Sequence, residues 1–329
     1  MRNRYRKKVL RILIGVLIIV SVAFSGFFIT RNFDQSPVNT SANDGFQLSA
    51  KTLNYDGITY KQRRKVHAYL FIGVDTTADV SDSSTSYIGG GQSDAQMLLV
   101  IDDLNRTWQI LQLNRDTMVD VPVLGVLGDV VSYEYTQLCM AHSFGTGKED
   151  SCENNVNTVS SLLKGQEIEG YAALNMDAMG ILNNIAGGVK VNVTSDFTLV
   201  DPTLVTDEDV TLTDEQALTF VRTRKDVDDQ TNTARMERQK EFMSGFLKQV
   251  KDAEYRFVKD SYKKLDSYLT TDITESDMVK IFNKVKKYKE LEVLNIEGEA
   301  KVQDDHWEYY LDEDSLMNTV VTLFYEKEY

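Results

Sequence analysis

Between Ile12 and Ile29 lie eighteen residues without a charge. A helix needs about 20 apolar residues to cross a bilayer, and the hydrophobic core of a secretory signal spans only ~7–15. Arg2, Arg4, Arg6, Lys7, Lys8 and Arg11 precede the run. Such a basic flank stays on the cytoplasmic side and sends the remainder outside. The segment therefore reads as a single-pass anchor in the cell membrane, with the folded part extracytoplasmic. A signal peptide cleaved near Ala23-Phe24-Ser25 is the alternative. The boundaries read as a basic tail over 1–11, the anchor over 12–30, a polar linker over 31–65, a folded domain over 66–250 and a C-terminal extension over 251–329.

The exported part is acidic. Beyond Thr30 the chain sets 30 Lys and Arg against 50 Asp and Glu. That balance disfavours nucleic acid, whose recognition needs a basic face. The three histidines, His67, His142 and His306, are scattered, which argues against a three-ligand zinc site. The two cysteines, Cys139 and Cys152, suit one disulfide closing a short loop in an oxidising compartment, with two buried free thiols as the alternative.

Against this acidity the arginines are few and clustered. Past Lys65 there are seven, four of them between 222 and 238: Arg222, Arg224, Arg235 and Arg238. A forked, permanently charged guanidinium suits a phosphate or diphosphate. Surface ion pairs with the neighbouring acids Asp226, Asp228, Asp229, Glu237 and Glu241 are the other explanation, worth only ~0–1 kcal/mol each. A fifth arginine, Arg115, follows a strand.

Apolar runs at Val66–Asp75, Gln96–Asp102 and Trp108–Leu113 predict strands, the last two forming a hairpin. They leave Asp75, Asp94 and Arg115 at strand ends or in the joining loops, where sites on a sheet collect. A helix over Asn155–Leu163, a strand over Tyr171–Asn175 and a helix over Asp177–Ile185 ending at Gly187-Gly188 follow. A strand at Val189–Val193 comes next, then Thr213-Asp214-Glu215-Gln216, a capping box. Helices after Thr233, over Ser276–Lys289 and over Asp312–Glu326 complete a mixed α and β order, with short strands at Leu291–Ile296 and Trp307–Tyr310. Met97, Met118, Met140, Met176 and Met179 read as core or cavity lining. Trp307, Tyr309 and Tyr310 read as a buried aromatic cluster, with glycan contact as the minor alternative.

Two carboxylates facing arginines can hold a hard dication, since Mg²⁺ takes one or two carboxylates with substrate oxygens and water; turn capping is the simpler role for Asp75 alone. Leu70-Phe71-Ile72-Gly73-Val74-Asp75, Ser93-Asp94, Asn114-Arg115-Asp116-Thr117, Gly187-Gly188-Val189 and the stretch from Ala217 through Arg222-Thr223-Arg224 to Arg235-Met236-Glu237-Arg238-Gln239 together resemble the LytR-CpsA-Psr family, over about Val66 to Val250. The resemblance implies a central, largely antiparallel or mixed sheet flanked by helices around a hydrophobic lipid cavity. It implies a phosphotransferase that moves a glycopolymer phosphate from an undecaprenyl-diphosphate carrier to peptidoglycan, at the 6-hydroxyl of N-acetylmuramic acid. By the same resemblance Asp75 and Asp94 hold Mg²⁺ or Mn²⁺, and Arg115, Arg222, Arg224, Arg235, Arg238 and Gln239 bind the pyrophosphate. Asp94 and Arg115 are the catalytic candidates. A lipid-diphosphate hydrolase and a non-catalytic lipid-diphosphate-binding regulator are the other readings. Three positions depart from the pattern: Gln92 stands where an arginine is usual, Ala95 where a threonine is usual and Asn114 where a proline is usual, and the segment between Arg224 and Arg235 is longer than in many relatives. The arginines are expected to be exposed, so that replacing Arg115 or Arg238 by alanine leaves the fold intact.

Overall fold

The computed structural model describes residues 52–328 apart from 76–90, 146, 177, 224, 229–231, 251–254 and 304–305. The anchor expected at 12–30, and Arg224, lie outside the described residues. Among the described residues no helix is long and apolar enough to cross a membrane.

The strands are β1 (Thr52–Tyr55), β2 (Ile58–Gln62), β3 (Val66–Val74), β4 (Ser93–Asp102), β5 (Thr107–Leu113), β6 (Met118–Leu124), β7 (Val130–Gln137), β8 (Gly170–Asn175), β9 (Lys190–Asn192) and β10 (Asp209–Thr211). Near the C-terminus come β11 (Leu269–Thr271), β12 (Lys289–Glu290), β13 (Leu294–Asn295), β14 (Gly298–Gln303), β15 (His306–Leu311) and β16 (Tyr325–Lys327). The helices are α1 (Met140–Ser143), α2 (Glu149–Leu162), α3 (Ala178–Ala186), α4 (Asp214–Arg222), α5 (Asn232–Val250), α6 (Tyr255–Leu265), α7 (Glu275–Lys287) and α8 (Glu313–Phe324).

A seven-stranded sheet runs in the order β11-β8-β3-β4-β5-β12, with β13 also on β5. β3, β4 and β5 pair antiparallel, whereas β8 lies parallel to β3 and β12 and β13 lie parallel to β5. The sheet is thus mixed. Side chains alternate across it, and both faces are covered. Phe71, Met97, Leu99 and Ile101 enter one core with residues of α3, α4, α5 and α7. Leu70, Ile72, Leu98 and Val100 enter a second core with residues of α2 and α8. Burial on both faces explains why β3 and β4 read as nearly unbroken apolar runs.

The capping box forms as expected: Thr213 Oγ1 accepts from Gln216 N–H and Gln216 Oε1 accepts from Thr213 N–H. α3 stops at Gly187 and Gly188, with φ of 78° and 92°. Their amides close on the carbonyls of Asn184 and Asn183, and a left-handed turn of this kind suits glycine.

Two boundaries differ from the sequence reading. Residues 52–62, placed in the linker, form the β1–β2 hairpin, which pairs with β16. Residues beyond 250, placed in an extension, contribute β11, β12 and β13 to the central sheet and α7 and α8 to the cores. These strands are two or three residues long, too short to show a period, and gain their stability from the neighbours they pair with. The aromatic segment is corrected too. Trp307 is 53% exposed on β15 rather than buried, because its hairpin partner β14 is exposed along its whole length.

Candidate functional site

The site sits at the C-terminal end of β3 and is built by an irregularity in the sheet. Gly73 pairs with Ala95, but the next residue, Val74, pairs with Ser93. Asp94 is therefore the extra residue of a bulge, and bulges re-aim a side chain out of the ladder. The Gln92 carbonyl accepts both the Asp75 and the Asp94 amides, each at 3.1 Å, and Gln92 N–H donates to Asp75 Oδ1 at 2.8 Å. One residue thus ties the two acids together through its backbone.

Arg115 enters from the turn after β5. Asn114 Oδ1 accepts from Asp116 N–H at 3.0 Å, and Thr117 N–H donates to the Asn114 carbonyl at 3.1 Å. This Asx turn gives Asn114 the chain-reversing role that a proline would fill, by hydrogen bonding in place of a ring. The turn is pinned from below, where Cys139 N–H donates to the Arg115 carbonyl at 2.9 Å and Leu138 N–H to that of Thr117 at 2.7 Å. The guanidinium then spreads over four partners. Nη1 donates to Asp94 Oδ1, Nη2 to Gln92 Oε1 at 2.7 Å and to Cys139 Sγ at 3.3 Å, and Nε to Asp116 Oδ1 at 3.2 Å.

Arg235, at the end of the first turn of α5, completes the cluster, with Nη1 2.8 Å from Asp94 Oδ2. Asp94 and Arg235 side chains are each 5% exposed. One carboxylate therefore holds two guanidiniums, one from the sheet side and one from the helix side. Asp75 is half-buried beside them, and Oδ2 takes no hydrogen bond among the described residues.

Arg238 and Gln239 do something else. Arg238 is 1% exposed, not exposed as expected. Its Nε donates to the Phe220 carbonyl at 3.0 Å, Nη2 to the Thr223 carbonyl, and Nη1 to Asp228 Oδ2 at 3.1 Å. Gln239 Nε2 donates to the Val221 carbonyl at 2.8 Å. The last carbonyls of a helix lack intrahelical partners and carry partial negative charge. The two side chains satisfy those carbonyls at the end of α4. The ring of Phe197 covers the Arg238 guanidinium at 5.4 Å. Arg222, the last residue of α4, is exposed, without an ion pair among the described residues.

The disulfide is a further correction. Cys139 and Cys152 are both buried free thiols. Cys139 Sγ is turned toward Arg115, while Cys152 Sγ lies 3.9 Å from His142 Nε2. Burial pushes the Cys139 thiol up to about 11, against the pull of Arg115, and the Cys152 thiol, beside Asp150 and Asp272, up to about 12. Neither is a thiolate at neutral pH, which removes both from the list of nucleophiles.

A buried polar layer beneath the site was not foreseen. Ser93 Oγ lies 3.2 Å from the Cys139 carbonyl and 3.0 Å from Asn155 Oδ1, two acceptors for its one proton, and receives Gln96 Nε2 at 2.9 Å. Asn154 Nδ2 reaches the carbonyls of Pro122 and Ala141 at 2.9 and 2.8 Å. His142 and Ser143 both hold the Gly91 carbonyl, at 3.2 and 2.9 Å. The one hint in the sequence was Gln96, a polar residue opening an apolar run.

Among the described residues no cluster of three His, Cys, Asp or Glu is arranged to hold a metal. Two carboxylates are enough for Mg²⁺ when a substrate supplies oxygens. Asp75 suits that role directly. Asp94 suits it once one of its guanidiniums turns to another anion.

A family model described as the LytR_cpsA_psr family matches residues 30–324. The chain is 25% identical over 295 residues to the polyisoprenyl-teichoic acid–peptidoglycan teichoic acid transferase TagU of Enterococcus faecalis, spanning 85% of this chain and 86% of that protein. The crystal structure of B. subtilis TagV aligns with a TM-score of 0.60 at 23% identity, over 79% of this chain and 96% of that one. The structure of YwtF (TagT) with bound octaprenyl pyrophosphate lipid aligns with a TM-score of 0.54 at 20% identity, over 84% and 95%. The matched span takes in the strand-end acids, both guanidiniums on Asp94 and the strands and helices that follow residue 250 as far as the end of α8, and the chain belongs to the LytR_cpsA_psr family.

Proposed function

We propose that this protein is a membrane-anchored phosphotransferase that moves a glycopolymer phosphate from an undecaprenyl-diphosphate carrier to peptidoglycan. The observation that carries the reading is the convergence of Arg115 and Arg235 on Asp94, with Asp75 beside them. The relative TagU, named as a polyisoprenyl-teichoic acid–peptidoglycan transferase, supports it, as does the lipid pyrophosphate bound to a protein of the same fold. The basic-then-apolar N-terminus supports the anchor.

In the resting arrangement Asp94 is a counter-ion for two arginines. An arriving diphosphate competes for the same forks, which pair bidentately with phosphate. As Arg115 and Arg235 turn toward the diphosphate oxygens, Asp94 is released. Its carboxylate is then the group proposed to take the proton of the attacking sugar hydroxyl, the 6-hydroxyl of N-acetylmuramic acid. The new oxygen–phosphorus bond forms at the sugar phosphate as the phosphoanhydride bond breaks, and the polyprenyl monophosphate leaves. Arg115 and Arg235 offset the charge that builds on the oxygens in the transition state. Asp75 and Asp94 are proposed to hold Mg²⁺ or Mn²⁺, which when bound supplies further neutralisation of the diphosphate. Arg222 and Arg224, at and beyond the end of α4, are proposed to reach the outer phosphate oxygens. Arg238 and Gln239 position that end of α4. The polyprenyl tail is proposed to lie in an apolar cavity between sheet and helices.

The test is the full-length chain in detergent with a polyprenyl-diphosphate-linked sugar polymer, peptidoglycan oligomers and Mg²⁺. Sugar phosphate joined to peptidoglycan together with released polyprenyl phosphate is the expected result. Sugar phosphate free in solution despite acceptor would mean a hydrolase. Binding of lipid without turnover would mean a regulator, a reading favoured by one observation: both oxygens of Asp94 are engaged in ion pairs.

A further inference from the structure

Next to the arginine site two hairpins raise large side chains into solvent. β6–β7 exposes Tyr133 and Tyr135, and β14–β15 exposes Trp307. They are joined to each other and to the site around Gln137 and Asp116. Gln137 Nε2, at the end of β7, donates to Asp116 Oδ1 at 3.2 Å and to the Trp307 carbonyl. Tyr309 N–H donates to the Asp116 carbonyl at 2.8 Å, and Thr117 bridges to Tyr309. Asp116 in turn receives Arg115 Nε. The aromatic surface therefore begins at the residue that follows the catalytic arginine.

Carboxylates stand among these rings. Asp120 stands opposite Tyr135 in the β6–β7 ladder, and partial burial together with the charges of Asp120 and Glu308, one acid from each hairpin, raises the Tyr135 phenol. Tyr310 Oη donates to Glu308, and Lys301 Nζ lies 5.2 Å from the centre of the Tyr310 ring.

This mixture selects among occupants. Aliphatic residues at the tip of β6–β7, Val126 and Leu127, would suit a lipid surface. Yet Asp129 sits in the same tip, and Asp120 and Glu308 are the acids that act on the Tyr135 ring. Acids are costly to bring into a bilayer and are repelled by anionic headgroups. An anionic polymer meets the same repulsion. A neutral chain of N-acetylated sugars meets neither. Its apolar ring faces stack on aromatic side chains, whose negative faces attract C–H edges. Its hydroxyl and amide N–H groups donate to carboxylates.

We propose that the β6–β7 and β14–β15 hairpins form the platform for the acceptor, a neutral N-acetylated glycan strand, and feed one of its hydroxyls toward Asp94 and Arg115. The acceptor role rests on the transferase reading above; the binding does not. Trp307 is one of two tryptophans, and the other, Trp108, is buried and gives a constant background, so the change in emission on titration reports the platform. Full-length protein in detergent micelles is titrated with an N-acetylglucosamine tetramer and with peptidoglycan glycan oligomers, without donor. A saturable blue shift of Trp307 emission is expected. Tyr135→Ala, at a 59% exposed position, should weaken it about tenfold. In the transfer assay the same variant should raise the acceptor KM by a similar factor and leave the donor KM unchanged. No saturable shift, or one indifferent to Tyr135→Ala, would overturn the proposal. So would strong quenching of Trp307 by doxyl-labelled phosphatidylglycerol after reconstitution, which would place the hairpins in lipid. Glycan binding with no transfer would sink the transferase reading and leave the platform standing.

Discussion

Arg235 Nη1 and Asp94 Oδ2 lie 2.8 Å apart across 141 residues of sequence, and both side chains are nearly inaccessible to water. The pair joins the helix layer to the bulge in β4. Removing one partner of a buried pair leaves a charge without compensation, at a cost of ~3–5 kcal/mol. Arg115 still faces Asp94, so Arg235→Ala should fall near the lower end of that range in urea denaturation. Transfer should drop by about 10²–10³, the usual cost of losing one transition-state donor. A variant with wild-type turnover would detach Arg235 from the chemistry.

Arg115 and Arg238 should separate in the same experiment. Arg115→Ala removes a partly exposed guanidinium and should keep a cooperative unfolding transition while transfer is lost. Arg238→Ala strips partners from the Phe220 and Thr223 carbonyls and from Asp228. The expected loss is ~3–5 kcal/mol. Arg238→Lys should restore little of it, because a single ammonium cannot reproduce the fork. Equal stability of the two alanine variants would contradict the capping role.

Gln92 is neutral where it meets Arg115 Nη2. Gln92→Glu gives Arg115 a third carboxylate beside Asp94 and Asp116 and should hold it more firmly while repelling diphosphate. The prediction is a donor KM raised by about tenfold with the acceptor KM unchanged. An unaltered donor KM would mean that Arg115 does not leave Gln92 during binding.

The two thiols provide a chemical check. Denatured protein prepared without reductant should titrate two free thiols. In the native state at pH 8, alkylation should be slow, since the thiols titrate at about 11 and about 12. No titratable thiol after denaturation would restore the bridge expected from the sequence.

Asp103 links the β4–β5 turn to α7. Burial disfavours its carboxylate, but Lys284 at 2.7 Å, Tyr288 at 3.1 Å and His67 outweigh that and lower its pKa below 3.8. A depressed folded value adds stability that is complete above the unfolded value and fades as pH falls through the folded one. Asp103→Asn should therefore destabilise the chain at pH 7, with the difference shrinking as pH falls below the unfolded value. Equal melting temperatures of the two proteins at pH 7 would overturn this.

The main strands and helices were legible because their periods are long. β3, β4 and β5 announced themselves as apolar runs, and α4 by Thr213 and Gln216, since those patterns depend on neighbours in sequence. The arginines were legible as a cluster, but their roles were not. Arg235 and Arg238 are three residues apart on one helix, yet one reaches Asp94 and the other the carbonyls at the end of α4. Which of them does which depends on how α5 packs against α4, and no local pattern encodes that. Asp94 was identified as an acid near a strand start, but not as a bulge, because the register shift exists only between β3 and β4.

The sequence by itself determined an acidic domain behind an apolar run, a mixed order of strands and helices, and an anion-binding chemistry suggested by sparse arginines. Local physics suffices for each: hydrophobic period, capping, and net charge. Only the tertiary structure decided that the residues after 250 complete the sheet, that both cysteines stay reduced and apart, and that Trp307 faces solvent. Those outcomes turn on long-range pairing and burial, whose energies depend on which surfaces meet. The same is true of the site, where Arg115 and Arg235 meet on one carboxylate because a bulge in β4 and a helix more than a hundred residues later are packed together.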